Sequence, residues 1–476
     1  MVKKLSKQIN LFALVMISSA FVTSIRNLPT LAETGMKMLF FALAAALFFF
    51  LPAALTSAEL ATGWPKAGGI YAWVKEAFGI KWGFIAIWLQ WVYMTISVIA
   101  MLYFISGSLA YVFAPSLAEN RIFLVITQLV VIWFFTFLNL RGLKMSSWIS
   151  TVGFLGGVLF PGILIIVLGG IYVLQGNPVH LDMSFTASNL FPDIKHISTL
   201  VLLVGFMRAF AGVEASSVHA NYVNKPQRNY PLAIFIVVII GIAINVLGSL
   251  AVAVVVPANE ISLLSGIMEA FNLFFTKFHM LWLVPIMGFL AAIGQMGGAS
   301  TWMTGPVSGL FATAEEGQLP PFFQKVNKHR APINLMLTQA VVISILGSCL
   351  LLLPSLNVSF WISVALSMMI YVTMYFLMLL SGLVLRFKKP NVKRAYKIPF
   401  GKVGISVVTI VGMMAMIFSF IIAIFPPSQL PPDNATAYVS FLLISICIIF
   451  ALPFIINKCK KPHWKPKNNI LQEGEK

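Results

Sequence analysis

The sequence has few charged residues and long stretches without any. Only 10% of its 476 residues are Asp, Glu, Lys or Arg, whereas 59% are hydrophobic. A water-soluble domain contains about 25% charged residues and cannot bury so much apolar surface. The composition therefore excludes an ordinary soluble globular protein. Each uncharged run is long enough to cross about 30 Å of hydrocarbon as a helix. About twelve such spans can be placed, among them 38–58, 122–140, 231–256 and 403–425.

Cysteine and histidine are also scarce. The three cysteines, Cys349, Cys447 and Cys459, lie in or beside apolar runs, so neither a disulfide framework nor a cysteine metal site is indicated. His219 is the only histidine within a span, and no second ligand stands at metal spacing on its helix. We therefore expect no metal, no cofactor and no enzymatic activity. No filter sequence typical of a channel is visible, although one chain does not exclude a pore between subunits.

Acidic residues are fewer than basic ones, 14 against 32, which gives a net charge of +18. The basic residues lie between spans and not on a hydrophilic domain, so they do not indicate nucleic-acid binding. Counted over alternate loops, one side of the membrane receives 26 Lys and Arg residues and the other four. The positive-inside rule then places both termini in the cytoplasm. The first span lacks a small-residue cleavage site, and we interpret it as a retained helix and not a signal peptide.

One stretch, 200–222, is apolar enough to span a bilayer yet contains Arg208, Glu214 and His219. An ionisable side chain at membrane depth is costly unless it is paired or faces a wet cavity. Gly212, between the two formal charges, weakens the helix there. Backbone freed at that depth is tolerated only where it is buried in protein or lines a cavity. The stretch therefore predicts a broken transmembrane helix that forms half of a solute site.

The first span, 10–33, is irregular too, because it contains many Ser and Thr residues together with Arg26 and Pro29. Arginine is effectively always charged, and its planar fork suits carboxylates. Arg26 is therefore expected to pair with an acid or to bind an anionic substrate, unless it snorkels to the outer interface. A structural pair between Arg208 and Glu214 is a further alternative. Their six-residue spacing is not a same-face helical spacing, so the break would have to bring them together.

Spans one and six occupy corresponding positions if spans one to five repeat as six to ten. Paired interrupted helices in two halves indicate a mid-membrane site of the inverted-repeat kind, where half-helix amino ends face a substrate carboxylate. We expect the chain to divide into a cytoplasmic N-terminus (1–9), a first repeat (10–174), a second repeat (197–385), two further helices (403–457) and a basic cytoplasmic tail (458–476).

The remaining spans and connections carry weaker signals. The glycines within 153–162 allow close helix approach, and the glycine-rich stretch 294–306, with Trp302, favours tight packing and a ligand contact about equally. The connection 63–83 predicts a short amphipathic helix at the cytoplasmic face. The segment 257–279 predicts a short helix that covers the outer mouth.

These residues resemble the amino acid-polyamine-organocation superfamily of transporters, and within it the bacterial glutamate/GABA antiporter group. The resemblance covers nearly the whole chain. It is carried by five stretches, PTLAETG (29–35), WPKAGGIYAWVKEAFG (64–79), GVEASSVHANYVNKPQRNYPLA (212–233), EEGQLPPFFQKVNKHRAP (315–332) and KKPNVKRAYKIPFGK (388–402). It implies an all-α integral membrane protein of about twelve transmembrane helices. The implied fold is a LeuT-type 5+5 inverted repeat with two additional C-terminal helices, working as an amino acid exchanger by alternating access.

The resemblance also implies most of the site, to which the charges of Arg26 and Arg208 are added. Its unwound parts would lie near 20–24 in span one and 209–212 in span six. The residues expected to bind substrate are Thr23, Ser24, Arg26, Arg208, Ala209, Ala211, Gly212, Trp302 and Tyr371. Those expected to serve gating or coupling are Glu214, Tyr93 and Tyr375.

The sequence departs from the family at two positions that bear on the substrate. Arg26 stands where the glutamate/GABA relatives have an aromatic residue, and Arg208 stands near a position that is aromatic or apolar in other relatives. Two added arginines favour an acidic amino acid or a site that must neutralise Glu214. We therefore expect an antiporter of the cell (inner) membrane that carries glutamate or a decarboxylated relative and has the lipid bilayer as its surroundings. The alternative is a proton-coupled importer of amino acids or polyamines, and a homo-oligomer is compatible with either.

Overall fold

The structure is a computed structural model that describes residues 9–65, 68–141, 151–193, 197–214, 223–257, 260–262, 265–350, 356–426 and 435–465. Over these residues the chain forms helices and no β-strand, and its two isolated bridges pair Ile9 with Val223 and Val326 with Pro332. The first half contains α1 (Leu11–Val22), α2 (Leu28–Ala32), α3 (Gly35–Gly63), α4 (Ile70–Phe78), α5 (Ile80–Phe113), α6 (Arg121–Asn139) and α7 (Thr151–Leu174).

The second half contains longer helices on average and ends with two that follow the proposed repeats. Its helices are α8 (Leu202–Ala209), α9 (Pro226–Val255), α10 (Gly266–Lys277), α11 (Leu283–Glu315), α12 (Ile333–Leu350), α13 (Leu356–Lys388), α14 (Gly401–Ile422) and α15 (Ala435–Lys458). Short single turns occupy Ile25–Asn27, Pro115–Glu119, Ala187–Leu190, Ile197–Leu200, Pro321–Gln324 and Pro462–Trp464.

Nine of the described helices are long and apolar enough to cross a membrane: α3, α5, α6, α7, α9, α11, α13, α14 and α15. Three further spans bring the number to about twelve. They are the shorter apolar helix α12, the interrupted first span with α1 and α2, and the interrupted sixth span with α8. The prediction of an all-α membrane protein with about twelve spans is therefore confirmed.

Two of the long helices contain a wider π turn, at Ala45–Phe50 in α3 and Leu155–Leu159 in α7. Each π turn is followed directly by an α-helical segment with proline at its first positions, Pro52 and Pro161. Because proline has no backbone N–H and its ring crowds the preceding turn, a locally widened turn accommodates it without ending the helix. Both helices therefore continue as single spans.

The centre of the bundle is α5, which packs along α11 and also against α13. Helix α9 packs against α1, α2 and α7. The outermost helix, α15, is mostly exposed, and the residues it exposes are apolar, such as Phe441, Ile444 and Ile448. Exposed apolar side chains on a spanning helix suit contact with lipid, so the central helices are the ones that position a polar site.

Helices α7 and α11 approach each other through glycines. A Cβ atom added at Gly157 would fall well inside the van der Waals radii of Gly294 Cα and the Leu290 carbonyl oxygen. One added at Gly153 would lie 3.1 Å from Gly297 Cα. The predicted close approach of span five is therefore confirmed, and its partner is the glycine-rich stretch of span eight.

The two short helices predicted between spans are also present. Helix α4 buries Ile70, Tyr71, Trp73 and Val74 and packs against α5 and α13, so it is more deeply packed than a helix lying on a membrane surface. Helix α10 lies within the segment 257–279 and packs against α9 and α11.

A buried ion cluster ties α3 to α13 and to the connection that follows α13. Glu59, which is 2% exposed, accepts hydrogen bonds from Arg386 Nη1 at 2.6 Å and from the Ile398 N–H at 2.8 Å. The Nε of Arg394 lies 3.4 Å from the same carboxylate. Burial lowers the pKa of Arg394, and the Glu59 carboxylate acts in the opposite direction. This carboxylate therefore compensates two arginines at one end of the bundle.

Candidate functional site

The first span is interrupted at Thr23 and Ser24, whose backbones are extended at ψ 128° and 130°. The residues up to Val22 are helical, so the break is shorter than the expected 20–24. Pro29 at the second position of α2 favours the restart, because its fixed φ suits a first helical turn and its missing N–H would be unpaired there anyway. The predicted interruption is thus confirmed, with narrower limits.

Ser24 fixes the geometry of this break. Its Oγ accepts a hydrogen bond from the Arg26 N–H at 3.3 Å and donates one to Gln295 Oε1 at 2.7 Å. The first contact caps the short turn that follows, and the second ties the break to α11. The small hydroxyl side chain thus satisfies freed backbone and joins two helices.

The sixth span is interrupted after α8. Ala209 is the last helical residue, Phe210 has φ −101° and ψ 7°, and Gly212 has φ +112°. Only glycine adopts that last conformation readily, which is the local reason for a glycine here. The break begins at Phe210, within the expected 209–212. His219 belongs to 215–222, which lie outside the described residues.

The two breaks line one cavity. Of the residues predicted to form the site, those lining it are Thr23, Ser24, Arg26, Tyr93, Arg208, Ala211 and Trp302. The other described residues around it are Val22, Asn27, Met101, Phe154, Val158, Gly294, Gln295 and Gly298. The volume open to the centre of a water molecule is only about 20 Å³, room for about one water. Binding of an amino acid therefore requires lining side chains to move.

The cavity is cationic. Arg26 and Arg208 are 5% and 8% exposed, and the described lining contains no carboxylate. Arg26 does not snorkel, because its side chain is buried against the cavity. Among the described residues, its Nε and Nη1 have no hydrogen-bond acceptor, and the same holds for the Nε1 of Trp302. Buried donors of this kind are costly unless an acceptor reaches them, so the cavity is built to receive hydrogen-bond acceptors.

Glu214 lies just beyond the second break and is 1% exposed. Its Oε2 accepts hydrogen bonds from the hydroxyls of Tyr371 at 2.7 Å and Tyr375 at 2.5 Å, and its Oε1 accepts one from Gln90 Nε2 at 3.0 Å. The Tyr371 hydroxyl also accepts the Gly212 N–H at 2.5 Å. Neutral donors, rather than Arg208, thus hold this carboxylate. Tyr371 and Tyr375 are four residues apart, and the sequence-based prediction that they share one helix face is confirmed. Both hydroxyls donate to the Glu214 carboxylate.

Tyr93 connects this cluster to the cavity. Its ring stacks on Tyr371 with centroids 4.1 Å apart and contacts the ring of Trp302 at 5.5 Å. Behind it, Phe49 stacks on Tyr375 at 5.5 Å. A displacement of Tyr93 therefore changes both the cavity wall and the support of Glu214.

The remaining predicted site residues lie directly behind the lining, and these are Ala209, Gly212, Glu214, Tyr371 and Tyr375. Sequence reasoning missed Gln295, Asn27 and Gln90. Gln295 lies in the stretch 294–306, which was noted for its glycines and Trp302. A polar residue directly after the packing glycine Gly294 was the signal that could have identified it. An isolated glutamine such as Gln90, within an otherwise apolar span, gives no pattern from which its contact with an acid could be inferred.

Broken helices that meet at a buried polar cavity define a secondary transporter of the membrane-embedded kind. The comparisons with known proteins agree. The family model described as amino acid permease matches residues 9–467. An uncharacterised transporter of Legionella pneumophila is 39% identical over 452 residues, covering 95% of this chain and 97% of that protein.

Two further relatives come from Lactococcus lactis. One, named glutamate/gamma-aminobutyrate antiporter, is 36% identical over 473 residues and covers 98% of this chain and 93% of the relative. The other, named probable agmatine/putrescine antiporter, is 24% identical over 401 residues and covers 83% of each chain. The chain belongs to the amino acid permease family. It is a multi-pass membrane protein that transports amino acids and not an enzyme, as the resemblance implied.

Proposed function

We propose that this chain is an antiporter of the cytoplasmic membrane that exchanges glutamate for a decarboxylated relative of it. The observation that carries the proposal is a pair of buried arginines, Arg26 and Arg208, around one cavity whose described lining has no acid. The relative named glutamate/gamma-aminobutyrate antiporter, which matches over nearly the whole chain, supports the same substrate class.

Charge balance favours an acidic substrate over a neutral or cationic one. Glutamate has two carboxylates and one ammonium group, so it adds one net negative charge to a cavity with two cations. Guanidinium groups bind carboxylates through charge-assisted, often bidentate hydrogen bonds. Among the described residues, two buried donors of Arg26 have no acceptor, so a substrate carboxylate would satisfy them. A polyamine would instead bring further positive charge beside Arg26 and Arg208, which disfavours that alternative.

The helix breaks offer partners for the rest of the substrate. The backbone at Thr23 and Ser24 is extended and that at Ala211 and Gly212 forms a turn, so both stretches depart from regular helix. The Thr23 and Gly212 N–H groups are already engaged, by the Ser19 carbonyl and the Tyr371 hydroxyl. Freed carbonyls suit the substrate ammonium and freed amide groups suit its α-carboxylate. In this arrangement the breaks bind the part shared by all amino acids, and the arginines select for the side chain.

The proposal includes an orientation and a division of the chain. Both termini would be cytoplasmic, because 26 Lys and Arg residues lie on that side and four on the other. Residues 10–174 and 197–385 would form the two inverted repeats, each opening with an interrupted span. Alternating access would move one repeat against the other around the cavity, and Tyr93 and Trp302 are positioned to move with it.

The test is counterflow in proteoliposomes loaded with unlabelled glutamate and supplied with labelled glutamate outside. We expect Arg26→Ala to lower exchange by about ten-fold or more, the usual effect of losing a charge-assisted hydrogen bond. Arg26→Ala should unfold at the same or a higher temperature than the parent, because it removes a buried cation that has unsatisfied donors. Lys277→Ala, a charge deletion outside the cavity, is the matched control and should change neither quantity.

Three outcomes contradict the proposal in different ways. If the protein exchanges none of the amino acids in a full panel, the cavity is not an amino acid exchange site. Unchanged glutamate exchange in Arg26→Ala removes the role of that residue. Uptake into vesicles without internal substrate, driven by an acidic exterior, identifies the proton-coupled importer instead.

A further inference from the structure

A second polar cavity lies away from the central one, between the ends of three helices. It is bordered by the end of α6, by the stretch of α11 beyond Trp302, and by the turn that leads into α12. Its volume is about 410 Å³, and it shares no described lining residue with the central cavity. It lies on the side where the basic loops are concentrated.

The turn that closes this cavity is held firmly against α6. Asn327 Nδ2 donates to the Leu140 carbonyl at 2.6 Å, and its Oδ1 accepts the N–H groups of His329 at 2.9 Å and Ala331 at 3.0 Å. Arg330 adopts φ +59°, a left-handed conformation that is uncommon for a residue other than glycine. A single asparagine thus fixes the turn and presents His329 and Arg330 at the cavity.

The cavity offers hydrogen-bond donors and positive charge, and its described lining contains no acid. Arg141, His329 and Arg330 line it, and no ion pair engages them among the described residues. Asn139, also in the lining, is 2% exposed, and its Nδ2 has no acceptor in the described part of the chain, although its Oδ1 accepts from Ser300 at 2.7 Å. A buried amide donor beside two guanidinium groups and an imidazole is the donor set that an oxyanion needs.

Part of the cavity lining is apolar. It is formed by Val307, Ala331, Pro332 and Met336. A free phosphate ion gains nothing from contact with apolar side chains, whereas the glycerol and first methylenes of a phospholipid pack against them. The flanking helix α6 exposes Phe137 (58%), so the cavity opens beside a surface suited to acyl chains.

We propose that this cavity binds the phosphate group of an anionic phospholipid of the cytoplasmic leaflet. Arg141, Arg330 and His329 contact the phosphate oxygens, and the Asn139 amide donates to them from the buried end. Basic pockets between helices on the cytoplasmic side are suited to anionic headgroups. The apolar side chains hold the part of the lipid next to the phosphate.

The test uses the full-length protein, delipidated in a neutral detergent, and measures its thermal stabilisation by added phosphatidylglycerol. Phosphatidylcholine and inorganic phosphate are the comparison ligands. We expect the double variant Arg141→Gln/Arg330→Gln to weaken the apparent affinity by about thirty-fold, since each basic group near an anionic lipid contributes roughly five-fold. Lys328→Gln removes a charge from the same turn but outside the cavity, and should weaken it less than about two-fold. Ser308→Asp, at an exposed position in the lining, should oppose binding without removing any arginine.

The proposal stands if phosphatidylglycerol stabilises the parent, the double variant and Ser308→Asp lose that stabilisation, and Lys328→Gln keeps it. Equal loss in Lys328→Gln would show general attraction to an anionic surface and overturn the proposal. Equal stabilisation by phosphatidylcholine, or full competition by inorganic phosphate, would overturn it too, the latter in favour of a free-phosphate site. The assay does not involve transport, so its outcome is independent of the proposed substrate.

Discussion

The contact between α7 and α11 allows a sharp test, because two adjacent glycines in α7 meet different surroundings. A Cβ at Gly157 would overlap backbone atoms of α11, including the Leu290 carbonyl and Gly294. A Cβ at Gly156 would meet nothing within 4 Å. The substitutions Gly157→Ala and Gly156→Ala add the same methyl group to the same turn, so they differ only in what the methyl group touches.

The magnitudes follow from two opposing effects. Alanine is favoured over glycine in a helix by up to about 1 kcal/mol, and both variants gain this. Overpacking costs about 1–3 kcal/mol when side chains can adjust. At Gly157 the obstructing atoms are backbone and cannot rotate away, so the cost lies near the upper end. We expect Gly157→Ala to destabilise by about 2 kcal/mol net and Gly156→Ala to be neutral or slightly stabilising.

Function should follow the same difference. Gly294 immediately precedes Gln295, which accepts the Ser24 hydrogen bond at the first break. Separating α11 from α7 therefore displaces a wall of the central cavity, and we expect glutamate exchange to fall by about ten-fold in Gly157→Ala and to stay at the parental level in Gly156→Ala. Thermal unfolding in detergent and counterflow in proteoliposomes give the two readouts. Parental stability and exchange in Gly157→Ala, or equal losses in both variants, would refute the packing argument.

Two further pairs of substitutions test other parts of the structure. Glu59→Gln leaves two buried arginines without their carboxylate and should destabilise by about 3–5 kcal/mol in thermal or chemical unfolding. Glu76→Gln, which breaks the partly exposed ion pair of Glu76 with Lys389, should cost at most about 1 kcal/mol, and similar costs would contradict the buried cluster. Tyr371→Phe should slow exchange more than Tyr375→Phe, because the Tyr371 hydroxyl accepts the Gly212 N–H at 2.5 Å at the second break, and the opposite order in counterflow rates would contradict that assignment.

Much of the membrane architecture was predictable, because hydrocarbon imposes strict rules on sequence. Spans must be long and apolar, and a polar interruption stands out against them. Arg26, Pro29, Arg208 and Gly212 indicated that two spans are interrupted, and the family resemblance placed the unwound parts to within a few residues. The glycines of span five likewise predicted a close helix contact, although the sequence did not identify Gly294 as the partner.

The contacts within the site were less predictable, because they depend on which helices meet. The spacing of Tyr371 and Tyr375 showed that they share a face but not that the face meets Glu214. The pairing of Ser24 with Gln295 joins residues 271 positions apart, and no local pattern encodes it. The alternative of a direct pair between Arg208 and Glu214 was reasonable from charge alone, and it failed because two tyrosines and a glutamine supply the carboxylate with neutral donors.

The two buried arginines also give a physical reason for exchange rather than one-way transport. Closing a cavity around Arg26 removes water from a cation whose Nε and Nη1 have no acceptor among the described residues, and the penalty for dehydrating an ion inside a protein is several kcal/mol. A substrate carboxylate compensates that charge during closure. A carrier of this design therefore passes through its closed state more readily with substrate than without it, and each outward passage is followed by an inward one that carries a second substrate.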